Sequence, residues 1–184
     1  MPELPRKSFP LEAPDLARIF VEAHPGPVPS RAALPFLAGI IGVENAGGKA
    51  LVQHNWGNIM AGDLWRSSGR DYWPSPVSDP EQPAYFRAYD SHEQGARAWW
   101  SLMYGKRYRS VLEAALGRSA TAVARELYRT GYVVGGSPSA YAAGIARYAR
   151  QWQGLFPARI GGAGFVAAVF GVSVSGIAAV IRWG

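Results

Sequence analysis

Residues 32–43 read Ala-Ala-Leu-Pro-Phe-Leu-Ala-Gly-Ile-Ile-Gly-Val, a run without a single charge, and then comes one carboxylate, Glu44. A helix apolar on every side is covered on every side, so the rest of the chain has to pack around this run. Gly47 and Gly48 supply a C-terminal stop, and the helix is expected to end at Glu44 or Asn45. Pro35 is late for a first-turn proline if Ser30 is the N-cap, which moves the expected start of regular helix towards Leu34.

The rest divides into three segments. Residues 1–29 hold seven prolines, with helical spacing over 15–23, and read as an N-terminal extension. The main domain is expected over 30–156. Residues 61–83, rich in Gly, Ser, Pro and Trp, read as loop. The strand pair is expected at 70–73 and 84–89, as a hairpin with a long tip. Ser91 and Gln94 stand in capping-box spacing ahead of a helix over 92–105. Further helices are expected over 108–116, 121–130 and 138–154. In the last of these, Tyr141, Ile145, Tyr148 and Trp152 mark the buried face. The fold class is therefore mainly α with a small β-hairpin.

The third segment, 160–182, contains 22 residues (160–181) with no charge between Arg159 and Arg182. At 1.5 Å per residue a helix of that length spans roughly the 30 Å of a hydrocarbon core, so it is a candidate transmembrane helix. The small residues at 164 and 168, and at 171 and 175, suit helix pairing in lipid. No apolar stretch follows the basic residues near the start, so no secretory signal is expected.

Composition removes some chemistries. There is no cysteine, and His24, His54 and His92 lack ligand spacing, so neither a metal site nor any other cofactor is expected. The net charge of +6 suits an anionic partner. Its basic residues are spread over helices rather than gathered in a run, and nucleic acid is not the expected partner. Trp99 and Trp100 are expected in the core or at its rim, and His54 exposed on a loop.

Glu44 carries the chemistry. Apolar surroundings and the negative end of a helix both disfavour its ionised form and raise its pKa. A carboxyl that keeps its proton near neutral pH beside a leaving oxygen is what a general acid for glycosidic cleavage must be. The segment Asn55-Trp-Gly-Asn-Ile59 then offers a tight polar and aromatic turn beside it.

Several runs in order, Glu44-Asn-Ala-Gly-Gly-Lys49, Asn55-Trp-Gly-Asn-Ile-Met-Ala61, Phe86-Arg-Ala-Tyr-Asp-Ser91, Thr130-Gly-Tyr132 and Tyr141, resemble the glucosaminidase domain of bacterial peptidoglycan hydrolases, glycoside hydrolase family 73. The resemblance covers about residues 29–152. It implies a lysozyme-like fold, a peptidoglycan glycan strand as partner, and Glu44 as general acid. It implies substrate contacts for Asn55, Trp56, Tyr72, Tyr132 and Tyr141. The family's second acid is matched by Asp71, with Asp79 and Glu81 as competitors, while the aspartate that follows the tyrosine in the family pattern is replaced here by Val133-Val-Gly-Gly136. Glucosaminidase, muramidase and lytic transglycosylase outcomes stay open at this point, as does a lysozyme-like structural or binding module without catalysis. The expected setting is the cell envelope or a phage particle, with membrane contact through 160–181 and an oligomeric state that is open.

Overall fold

The structure, a computed structural model, describes residues 3–26, 30–75 and 83–156. Its elements are α1 (Ala13–Glu22), α2 (Leu34–Glu44), α3 (Asp63–Ser67), β1 (Tyr72–Pro74), β2 (Tyr85–Arg87), α4 (His92–Tyr104), α5 (Arg109–Leu116), α6 (Ala120–Arg129) and α7 (Pro138–Trp152). The mainly helical class with one small hairpin is thus observed. Asp79, Glu81 and the 160–182 segment lie outside the described residues, and among those residues no helix is long and apolar enough to cross a membrane.

The uncharged run forms α2, with Leu34, Leu37, Ile40 and Ile41 fully buried. At about 1.5–3 kcal/mol for each such side chain, this one helix contributes a large share of the core. Pro35 occupies its first turn, and among the described residues no side chain caps it. Ser30 instead closes the preceding turn, its Oγ accepting from the Ala32 N–H at 3.2 Å.

Glycines let α7 lie directly on α2. A Cβ on Gly39 would stand 2.8 Å from the Ile145 carbonyl oxygen, one on Gly42 would stand 2.5 Å from Tyr148 Cγ, and one on Gly144 would stand 2.8 Å from Val43 Cγ2. This backbone approach brings Tyr141, in the first turn of α7, to the C-terminal end of α2. A Ser137 cap and Pro138 start α7 as expected.

The N-terminal residues belong to the same core. Leu16, Ile19 and Phe20 of α1 are buried, and the Phe20 ring packs 4.6 Å from Trp100 and 5.4 Å from Trp99. Trp100 Nε1 donates to the Phe20 carbonyl at 2.8 Å. Ser8 bridges Val52, and the Leu4 N–H donates to the Tyr72 carbonyl at 2.9 Å. Residues of the expected N-terminal extension and of the main domain thus share one core.

In the hairpin, Tyr72, Trp73 and Pro74 face Arg87, Phe86 and Tyr85. On its other side β2 is joined by 59–61: Met60 bridges Phe86, the Ala61 N–H donates to the Tyr85 carbonyl at 2.7 Å, and the Arg87 N–H to the Ile59 carbonyl at 2.9 Å. Ser91 caps α4, as its spacing implies, accepting from the Gln94 N–H at 3.3 Å. The reciprocal Gln94 bond goes to the Asp90 N–H at 3.2 Å.

The all-loop reading of 61–83 is corrected by α3. A helix of five residues has no period to show, and none of its side chains is buried. Local contacts hold it: Asp63 pairs with Arg66, and Trp65 Nε1 donates to the Asp71 carbonyl at 2.8 Å.

Candidate functional site

Glu44 is the last residue of α2, and its carboxyl is mostly shielded from water. Tyr141 Oη donates to Oε1, and Asn58 Nδ2 donates to Oε2 at 2.8 Å. Burial pushes the Glu44 pKa above the usual carboxylate range, and the bonds from Tyr141 and Asn58 pull it back in part. The upward direction is the one expected from the apolar helix. A carboxylate has about four lone-pair sites, so with two taken a proton still has a place to sit.

The partners are held by what surrounds them. Asn58 adopts a left-handed backbone, φ 48°, after Gly57, which turns its amide towards Glu44. The Gly57 carbonyl accepts from Tyr132 Oη at 2.9 Å, and that hydroxyl accepts in turn from Trp99 Nε1 at 3.1 Å. Gly57 has no room for a side chain, since a Cβ there would meet Trp99 Cδ1 at 2.3 Å and Tyr132 Oη at 2.4 Å. Tyr132 and Tyr141 both have pKa values raised well above the usual phenol, by burial first and by the Glu44 charge second. Both therefore stay protonated and remain donors.

Asn45, fully buried, ties the same turn to α2, its Nδ2 donating to the Trp56 carbonyl at 2.6 Å and the Ile41 carbonyl at 3.3 Å. The end of α2, the 55–58 turn and the start of α7 thus converge on one carboxyl.

Asn55 and Trp56 are placed away from the Glu44 carboxyl. Asn55 is fully buried and cannot line a sugar site: its Nδ2 donates to the Ile59 and Arg87 carbonyls at 3.0 and 2.9 Å, and its Oδ1 accepts from the Ile59 N–H at 2.8 Å. Trp56 is fully buried as well, parallel to Phe20 at 6.3 Å, so it is a core residue. The reason is the backbone reversal at Asn58, which faces the second asparagine to Glu44 and leaves the first two side chains inward. Tyr132 touches the cluster, but its hydroxyl is spent on Gly57 and Trp99. Trp99 and Trp100 are fully buried. Tyr72 lies on the hairpin, its ring edge-on to Tyr85 at 5.1 Å.

Asp71 sits just before β1, where its carbonyl accepts from the Ala88 N–H at 3.0 Å. Two strand spacings, roughly 10 Å, separate this edge from the 59–61 segment that follows Asn58. Asn58 is the site residue that sequence reasoning passed over; the Gly57-Asn58 pair was its only signal. His54, expected to be exposed, is partly buried, stacked 3.9 Å on Phe9 and edge-on to His92 at 4.4 Å. Among the described residues no group of His, Asp or Glu is arranged to hold a metal ion.

No protein-family model matches the chain, and neither does any curated protein. Solved structures do. A peptidoglycan hydrolase from Sphingomonas sp. A1 is 25% identical, with a TM-score of 0.54 over 82% of this chain and 94% of that one. A mutant of that enzyme aligns at 25% identity and a TM-score of 0.51, over 75% and 92%. The glycoside hydrolase domain of Salmonella typhimurium FlgJ aligns at 18% identity and a TM-score of 0.51, over 79% and 91%. The chain shares the lysozyme-like helical fold of these proteins.

Proposed function

We propose that the chain is a peptidoglycan hydrolase of the endo-β-N-acetylglucosaminidase type, cutting the β-1,4 glycan backbone with Glu44 as general acid. The observation that carries this reading is the shielded Glu44 carboxyl, raised in pKa and held, among the described residues, by Tyr141 and Asn58. The fold shared with peptidoglycan hydrolases supports the substrate. Glu44, protonated, gives its proton to the leaving glycosidic oxygen as the C1–O bond breaks; Tyr141 and Asn58 then stabilise the carboxylate that remains.

A second group must meet the developing charge at C1. Asp71 is one candidate, but it lies across the hairpin from the 59–61 segment that follows Asn58. The reading favoured here is substrate assistance: the carbonyl oxygen of the sugar's 2-acetamido group bonds to C1 as the leaving group departs. Water then attacks C1, opens the ring so formed, and gives its proton to the Glu44 carboxylate. A glycan stripped of its N-acetyl groups should resist cleavage, while Asp71→Asn should keep activity; the reverse pair of results assigns the second role to Asp71.

Mass spectrometry of the digestion products identifies the bond cut. Reducing N-acetylglucosamine ends are expected. Reducing N-acetylmuramic ends would make the chain a muramidase, and anhydro ends a lytic transglycosylase. The uncharged 160–181 segment and the net charge of +6 support attachment to a membrane in the cell envelope or a phage particle.

A further inference from the structure

A cavity of about 720 Å3 opens between the hairpin and α4, away from the Glu44 cluster, and its walls include Trp65, Arg70, Arg87, Asp90, Gln94 and Arg97. Two guanidiniums lie over the Trp65 ring, Arg87 at 4.5 Å and Arg70 at 4.7 Å from its centroid. The ring is fixed by its bond to the Asp71 carbonyl, and Arg87 by Nε donating to the Met60 carbonyl at 3.0 Å. A guanidinium laid against an aromatic face loses little freedom and keeps its N–H edge for a ligand. None of Arg70, Arg87 and Arg97 forms an ion pair with an acid among the described residues. Three positive groups with no ion-paired acid among the described residues are arranged to receive an anion.

Two features narrow the anion. Asp71 and Asp90 also line the cavity, and the Asp90 carboxylate already accepts from Gln94 Nε2 at 3.0 Å. They oppose a doubly charged phosphate more than a singly charged carboxylate, and they can accept peptide N–H groups. The position is also informative. Met60, which holds Arg87, is two residues from Asn58, which holds Glu44. Extended chain covers about 3.4 Å per residue, so a peptide of three residues spans roughly 10 Å and can bridge a gap of that order.

We propose that this cavity binds a carboxylate-bearing peptide, the acidic stem that branches from the glycan strand cut at Glu44. The proposal rests on the peptidoglycan reading above. It makes stem acidity a determinant of substrate choice, through Arg70, Arg87 and Arg97 rather than through the sugar contacts.

Titration calorimetry of the full chain with a synthetic alanyl-γ-D-glutamyl-lysine peptide tests it, with the same peptide amidated at its carboxyls as control. The free-acid peptide should bind, with affinity falling about tenfold on amidation, as expected for loss of a charge-assisted bidentate contact. The double variant Arg70→Gln/Arg97→Gln, at two exposed positions, should weaken it by a similar factor while the thermal midpoint is unchanged. Equal binding of the two peptides, no binding, or tighter binding of inorganic phosphate than of the peptide overturns the proposal. Digestion of purified wall in parallel separates the two claims. Wall cleaved without peptide binding sinks the stem site alone, and peptide binding without cleavage sinks the hydrolase reading and leaves an acidic-peptide site.

Discussion

Placing Ala at position 42 tests how the site is built. The new Cβ would stand 2.5 Å from Tyr148 Cγ, 2.7 Å from Tyr148 Cδ2 and 2.9 Å from Trp152 Cη2. Ordinary contact begins near 3.4 Å, so the shortfall at the first atom is about 0.9 Å. Cγ is the root of the ring and cannot swing aside, so α7 must move. Overpacking of this kind costs about 1–3 kcal/mol, and the gain in helix propensity on replacing Gly returns about 1. With the strain near its upper end, the net loss is about 2 kcal/mol. For a chain of 184 residues that lowers Tm by roughly 4–8 °C. Thermal unfolding followed by circular dichroism measures it, with Gly154→Ala as control because nothing lies within 4 Å of the Cβ there. Because Tyr141 rides on α7, wall-cleaving activity should fall by more than the unfolded fraction explains. An unchanged Tm, or a lowered Tm with full activity in the folded fraction, would refute the claim that α2–α7 contact sets the Glu44 geometry.

Other substitutions read other parts of the site. Asn55→Ala takes their side-chain partner from the Arg87 carbonyl and the Ile59 N–H, while the Ile59 carbonyl keeps its bond from the Arg87 N–H, and should cost about 3 kcal/mol in urea unfolding, with no selective loss of substrate binding in the folded fraction. Tyr141→Phe removes a donor that lowers the Glu44 pKa, so the alkaline limb of the kcat/KM profile should move to higher pH; a limb that stays or moves down contradicts the hydrogen-bond assignment. The His92 pKa is lowered from 6.5 to about 4, by burial first and by the neighbouring His54 second. Its neutral form therefore supports folding above 6.5, and that support is lost as pH falls towards 4. Tm measured across this window should decline less steeply in His92→Gln than in the wild type.

What could be read from the sequence and what could not divides along the range of the interactions. The uncharged run with its glycine stop marked α2 and Glu44, because both signals sit within a dozen residues. Ser91 before α4 and Ser137-Pro138 before α7 are local caps of the same kind. The face of α7 was legible from its spacing, and that spacing carried Tyr141 to the site. The inward turn of Asn55 and Trp56 was not legible, since it depends on the left-handed backbone at Asn58 and on Phe20 and Arg87, which are distant in sequence. The role of α1 was hidden for the same reason: nothing near Phe20 in the sequence announces Trp99 and Trp100. Helix α3 is too short for any period, and the clamp on Trp65 draws its arginines from two separate strand ends.

The most direct test of the account is the rate of glycan cleavage in purified peptidoglycan by wild type and Glu44→Gln, with equal folding confirmed by their thermal midpoints. Glutamine keeps the shape and accepts from Tyr141 or Asn58 through its carbonyl oxygen, but it carries no proton to give. New reducing ends are expected from the wild type and a loss in kcat of about 100-fold or more in the variant, the range for removing a positioned general acid. Cleavage by Glu44→Gln at the wild-type rate would contradict the account.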